Sequence, residues 1–155
     1  MDARGRWARR GLVLVVLAGE AAAAMGAAPT GAPLPGVVLY KSRFCGCCGK
    51  WADHLRAAGF RVVVRDVDDL LRVESRFGVP KGLGSCHTAV AGGYVVVGHV
   101  PADVLQRLLD ERPAIVGVSV PGMPGGAPGM EGGIRRAYDV VAFDREGRRR
   151  VYATR

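Results

Sequence analysis

Residues 37–49 read VVLYKSRFCGCCG, and this stretch decides how the rest of the sequence is interpreted. An apolar, strand-like run ends at Tyr40, and three cysteines then follow within four residues, where a helical pattern begins. The free N–H groups and positive dipole end of a helix N-terminus favour a thiolate over a thiol. The Cys45/Cys48 pair has the C-x-x-C spacing of redox sites, and Cys47 adds a sulfur that redox chemistry does not need.

The remaining cysteine, Cys86, is followed directly by His87. A fourth thiol beside an imidazole would complete a donor set for a soft metal ion if the fold brings the two segments together. The sequence therefore predicts a sulfur-rich site, used either for metal binding or for redox chemistry.

Composition limits the fold and the classes of partner. A chain of 155 residues with 49% hydrophobic residues can bury one core and is not disordered. The formal charge of +8 comes mostly from arginine, but no nucleic-acid-binding motif accompanies it. We expect no nucleic-acid partner.

The N-terminus has the three-part pattern of a secretory signal peptide. A stretch with four arginines precedes the apolar run Leu12–Ala18, and an alanine-rich segment follows. The apolar run is shorter than the roughly 20 residues that span a bilayer, so no stable membrane anchor is expected. Export to the periplasm is predicted, by the Sec route or, since Arg9-Arg10 precedes the apolar run, by the twin-arginine route.

These patterns predict three regions. Residues 1–28 form the signal peptide, residues 29–36 form a linker rich in proline and glycine, and residues 37–155 form the folded, metal-binding domain.

Hydrophobic periodicity within the folded domain predicts an α/β protein. The order is strand, helix, strand, helix, hairpin and helix, which is the thioredoxin-like order with C-x-x-C after the first strand. In that architecture the loop before the third strand lies against the N-terminus of the first helix. Because Cys86 and His87 occupy this loop, we expect Cys86 to lie near the other three cysteines.

A Gly/Pro-rich loop, 112–133, and a C-terminal β-hairpin follow the last predicted helix. The loop contains Met123 and Met130, neither of which lies on a periodic apolar face. Long irregular loops are often functional, and a thioether is a soft ligand, so this loop could fold over the sulfur site. An ordinary surface loop is the alternative.

Several ordered motifs resemble the CopG-type periplasmic copper-resistance family, which is unrelated to the DNA-binding repressor of the same name. The motifs are Cys45-Gly-Cys-Cys-Gly-Lys-Trp51, His54-Leu55, Gly78-Val-Pro80, Ser85-Cys-His-Thr-Ala89, Gly98-His-Val-Pro101 and Pro121-Gly-Met-Pro124 with Pro128-Gly-Met-Glu131.

This resemblance implies a thioredoxin-like fold and a role in copper homeostasis or resistance. It also implies a copper site in which Cys45, Cys47, Cys48 and Cys86 supply the thiolates. The partners that it suggests are copper ions and other copper-handling proteins of the cell envelope. Further candidates for auxiliary ligands are His87, His99, Met123 and Met130.

Three chemical interpretations of the cysteines remain open. The first is Cu(I) binding by the cluster, with copper redox activity as a variant. The second is a thiol–disulfide oxidoreductase that uses Cys45 as the nucleophile and Cys48 as the resolving thiol. The third is a structural zinc site that includes His87, although three ligands within four residues close poorly around a tetrahedral ion. No catalytic residue follows from the sequence.

The signal-peptide prediction fixes where the mature chain should begin. We expect it to start between Met25 and Gly31 in protein recovered from the periplasm, because cleavage follows small residues. Intact-mass measurement of fractionated cells checks this. A cytoplasmic product that retains Met1 or Asp2 would contradict it.

Overall fold

A computed structural model describes residues 34–155. The predicted signal peptide, 1–28, and most of the predicted linker, 29–36, lie outside the described residues. Leu34, at the end of that linker, packs against the core. Within the described part, no helix is both long and apolar enough to cross a membrane.

The chain forms a seven-stranded mixed sheet and three helices. The elements in chain order are β1 (Val37–Lys41), α1 (Gly46–Ala57), β2 (Val62–Asp66), α2 (Leu70–Arg76), β3 (His87–Ala91), β4 (Tyr94–Val97), α3 (Ala102–Glu111), β5 (Gly117–Ser119), β6 (Asp139–Phe143) and β7 (Arg149–Thr154). The strands lie in the order β2-β1-β3-β4-β5-β6-β7.

The predicted order of elements is confirmed through α3, and so is the C-terminal hairpin of β6 and β7. Strand β1 pairs in parallel with β2, a pairing that needs the crossover helix α1 between them. Strands β3 and β4 form an antiparallel hairpin around Gly92 and Gly93. Both glycines have positive φ, 56° and 92°, as a two-residue hairpin turn requires.

One element was missed within the segment predicted as an irregular loop, 112–133. The short strand β5 lies there, buried, between β4 and β6. With only three residues and one of them glycine, it is too short for a periodic signal. It joins the predicted hairpin to the rest of the sheet.

The main core lies between the sheet and two helices. Trp51 and Leu55 of α1 and Leu105 and Leu108 of α3 are fully buried in it. A smaller cluster around Leu83 and Phe143 covers the opposite face. Helix α1 is therefore fixed along one side, and its N-terminus stands at the end of β1.

Helix α2 begins after an aspartate that caps its N-terminus. The Asp69 side chain accepts a hydrogen bond from the Arg72 N–H at 3.0 Å, which caps the helix. Glu74 of this helix is the only buried carboxylate among residues 34–155.

The parallel pairing of β4 and β5 depends on a glycine. A Cβ added at Gly117 would collide with the carbonyl oxygen of Val95, its partner in the register. We expect Gly117→Ala to lower the free energy of unfolding by about 1–3 kcal/mol, as overpacking typically does. Urea unfolding followed by circular dichroism measures it.

Gly49→Ala is the matched control, because a Cβ there meets nothing within 4 Å. Because alanine favours a helix more than glycine does, Gly49→Ala should instead raise the free energy of unfolding by about 1 kcal/mol. Equal losses in both variants would contradict this account of β5.

Candidate metal centre

The N-terminus of α1 presents the first three cysteines. Strand β1 ends at Lys41 and is followed by a turn, in which the Cys45 N–H donates a hydrogen bond to the Ser42 carbonyl. Cys45 is the N-cap residue of α1. No side chain caps the helix and its first turn has no acidic residue. The positive end of the helix dipole therefore acts on the sulfurs without a competing carboxylate in that turn.

All four cysteine sulfurs lie within 4.8 Å of one another. Cys45 and Cys48 form a disulfide, whereas Cys47 and Cys86 are free thiols. The Cys47 sulfur is 3.4 Å from that of Cys45 and 4.0 Å from that of Cys86. The Cys48 sulfur lies 3.4 Å from the Cys86 carbonyl oxygen. The structure thus brings Cys86 to the other three, as the sequence predicts.

Sheet pairing carries Cys86 to this position. Strand β3 runs antiparallel to β1, and His87 is the register partner of Lys41, the last residue of β1. Cys86, the residue before His87, therefore lies beside the end of β1, where the chain leaves that strand for α1.

Two hydrogen bonds hold the loop that carries Cys86. The Ser85 N–H donates to the Glu74 carboxylate at 3.2 Å, and the Ser85 hydroxyl donates to the Gly122 carbonyl at 2.5 Å. A Cβ on Gly84 would lie 2.8 Å from a Glu74 carboxylate oxygen, so glycine permits the approach. Sequence reasoning did not identify Glu74, because nothing in its own helix indicates a partner eleven residues away.

His99 is oriented towards Cys86. Its Nδ1 lies 2.7 Å from the Pro128 carbonyl oxygen, and its Nε2 lies 3.0 Å from the Cys86 sulfur. A carbonyl only accepts hydrogen bonds, so Nδ1 carries the proton and Nε2 presents its lone pair to the sulfur. Such a contact from the distal nitrogen to a carbonyl is the usual support of a metal-bound histidine.

His87 lies on the other side of Cys86. Its Nδ1 is 3.4 Å from the Cys86 sulfur, and its ring lies 4.4 Å from the Trp51 ring and 5.0 Å from the His99 ring, between centroids. Its Nε2 is buried and has no hydrogen-bond partner within the described part of the chain. Cys86, His87 and His99 form a second group of donor atoms within 4.8 Å of one another.

Burial controls the protonation of this region. Burial, with a further contribution from Cys47, raises the pKa of the Cys86 thiol to about 12. Burial, followed by the neighbouring His99, lowers the pKa of His87 to about 3, and burial also lowers the pKa of His99. Both imidazoles are therefore neutral, which is the form that binds metal ions.

The Gly/Pro-rich loop folds against the centre. A Cβ on Gly129 would lie 2.9 Å from the Cys47 carbonyl oxygen, 3.1 Å from the Trp51 nitrogen and 3.3 Å from His99 Nδ1. Only a glycine allows this backbone to pack so closely. The φ of Gly129, 88°, lies in the left-handed region, which also favours glycine. The loop covers the centre from the side of His99.

The two methionines of this loop are placed differently. Met123 follows Gly122, which contacts Ser85, and it is 55% exposed. Met130 follows Gly129 and is half-buried. A ligand role for either thioether stays a prediction.

His54 of α1 is half-buried. Its Nε2 accepts a hydrogen bond from the Ala102 N–H at 3.0 Å and so caps α3. Burial lowers the pKa of His54, which keeps this acceptor neutral. The capping role was missed, because it joins two helices 48 residues apart.

Comparisons with known proteins point to one family. A family model described as a protein of unknown function, DUF411, matches residues 83–130, which hold Cys86, both histidines of the centre and most of the Gly/Pro-rich loop. No curated protein matches the sequence.

Two solved structures match most of the chain. One, named copper resistance protein copG, Form 1, is 45% identical, with a TM-score of 0.74, over 79% of this chain and 98% of its own. The other, Form 2 of a protein of that name, is 46% identical, with a TM-score of 0.75, over 80% of this chain and 99% of its own. This likeness agrees with the mixed α/β fold and with the copper-resistance motifs in the sequence.

The packing of Gly129 predicts how the loop protects the sulfurs. Gly129→Ala places a methyl group against Cys47 and His99 at a left-handed backbone position. The strain alone costs about 1–2 kcal/mol, so we expect the loop to move off the centre. The Cys47 and Cys86 thiols should then react faster with a thiol reagent such as DTNB.

Gly132→Ala, in the same loop, is the control, because a Cβ there meets nothing within 4 Å. It should leave the thiol reaction rate unchanged. If both variants reacted at the rate of the parent, the loop would not cover the centre.

Proposed function

The chain belongs to the family of the copper resistance protein CopG, and from this we propose that it is a periplasmic copper-binding protein that holds Cu(I) through Cys45, Cys47, Cys48 and Cys86. Its role is copper homeostasis or resistance. Copper is its cargo, received from or passed to other copper-handling proteins of the envelope.

The observation that carries this proposal is the convergence of four sulfurs within 4.8 Å. Thiolates are soft ligands that stabilise Cu(I), and sulfurs this close can bridge neighbouring ions. All four serve as thiolates only once the Cys45–Cys48 disulfide is reduced. The cluster as a whole is therefore a ligand set of the reduced protein.

The groups around the cysteines support copper binding in different ways. The His99 lone pair faces the Cys86 sulfur, so His99 is an auxiliary ligand or adjusts the site through that sulfur. His87 contacts the Cys86 sulfur from the other side and is a second candidate for an auxiliary ligand. Met123, which is exposed beside the loop of Cys86, is a further candidate for an auxiliary ligand, because its thioether is soft.

The disulfide itself supports a second function, thiol–disulfide exchange. Cys48 is fully buried and Cys45 is partly exposed, which suits a resolving thiol and a nucleophile respectively. Against a dedicated oxidoreductase, the Cys47 sulfur stands only 3.4 Å from Cys45 and offers a competing disulfide partner.

Copper redox activity would combine the two chemistries. When the Cys45 and Cys48 thiolates close their disulfide they release two electrons, which reduce two Cu(II) ions to Cu(I). An external reductant must then supply two electrons and reopen the pair.

Single replacements separate metal binding from disulfide exchange. If all four thiolates bind Cu(I), each of Cys45→Ser, Cys47→Ser, Cys48→Ser and Cys86→Ser should weaken Cu(I) affinity by more than about 100-fold, because loss of a group that only supports a ligand already costs about 10–100-fold. Anaerobic titration of the reduced proteins with Cu(I) against a competing chelator measures this.

The matched control is His54→Gln, which alters a histidine outside the cluster and keeps an acceptor for the Ala102 N–H. It should retain the parent affinity. Rapid reduction of a model disulfide that survives in Cys47→Ser and Cys86→Ser, with weak Cu(I) binding in all proteins, would support the oxidoreductase instead.

A further inference from the structure

Cys86, His87 and His99 form a donor group that is distinct in chemistry from the four sulfurs. It offers one sulfur and two imidazole nitrogens, all within 4.8 Å of one another. Both nitrogens approach the same sulfur, His99 Nε2 at 3.0 Å and His87 Nδ1 at 3.4 Å. We refer to these three residues as the His2Cys group.

This group is available while the disulfide is closed. Cys45 and Cys48 are bonded to each other in the structure, so neither is a thiolate ligand in this state. Cys86 remains a free thiol, with both histidines in contact with it.

Core packing alone does not account for the two histidines. Each is fully buried, and each directs a ring nitrogen at the same thiol, that of Cys86. His99 is, in addition, held by the Pro128 carbonyl in the orientation of a metal ligand.

We propose that the His2Cys group is a second copper site, which holds one copper ion while the Cys45–Cys48 disulfide is closed. The proposal rests on the proposed function for the identity of the metal. Two imidazoles and one thiolate in a trigonal arrangement form the donor set of blue-copper sites, which hold copper as Cu(I) and as Cu(II). Because Cys86 belongs to both donor sets, the ion keeps one ligand when the disulfide opens or closes.

The test uses the full mature chain carrying Cys47→Ser, with its disulfide closed. Cys86 is then the only thiol, which DTNB titration and intact mass verify before use. One equivalent of Cu(II) is added without reductant. We expect an intense visible thiolate-to-Cu(II) charge-transfer band and one copper per chain.

Variants in this background assign the ligands. Cys86→Ser and His99→Gln should lose the band, whereas the histidine control His54→Gln should keep it. Pulsed EPR of the Cys47→Ser protein, with the His2Cys group intact, should detect two coordinated imidazoles. This measurement keeps the proposal testable even if a buried histidine variant fails to fold.

Three outcomes would overturn the site. The first is bound Cu(II) without the charge-transfer band. The second is a disulfide between the Cys86 residues of two chains, formed as two thiolates reduce two Cu(II) ions to Cu(I). The third is loss of the band in His54→Gln. None of them affects Cu(I) binding by the four thiolates of the reduced parent, so failure here is distinguishable from failure of the proposed function.

Discussion

The antiparallel pairing of β1 with β3 is the constraint on which the centre depends. It sets His87 opposite Lys41 and so brings Cys86 to the N-terminus of α1. A slip of one residue would turn the side chains of β3 to the opposite face of the sheet. His87 would then leave Trp51, and the fourth sulfur would move away from the other three. Whether the donor atoms meet therefore depends on the pairing register of β1 and β3 as much as on the residues that the sequence supplies.

A second connection ties the histidine segment to the cysteine helix. The Trp51 indole N–H donates to the Val100 carbonyl at 2.8 Å, one residue after His99. His54 caps α3 at Ala102, two residues further along. Since both contacts come from α1, the helix that carries three cysteines also fixes the approach of His99. The loop of Gly129 closes the same region and supplies the carbonyl that orients the imidazole.

Local patterns in the sequence were enough to predict the order of elements and the meeting of the four cysteines. Hydrophobic periodicity identifies α1 and its buried Cys48, and the thioredoxin-like order places the loop of Cys86. Strand β5, the buried Glu74 and the contact between His99 and Pro128 did not follow. Each depends on segments far apart in sequence, whose loop conformations are set by tertiary packing and leave no periodic signal.

The disulfide and the proposed Cu(I) cluster both use the sulfurs of Cys45 and Cys48, so the two proposals together assign two states to the centre. With the Cys45–Cys48 pair closed, the remaining donors are two thiols and two neutral imidazoles. With the pair open, four thiolates can act together, and the donor set becomes softer. Cys86 lies in both sets, next to Cys47 on one side and His99 on the other. If both copper proposals hold, the oxidation state of the Cys45–Cys48 pair determines which ligands surround the ion.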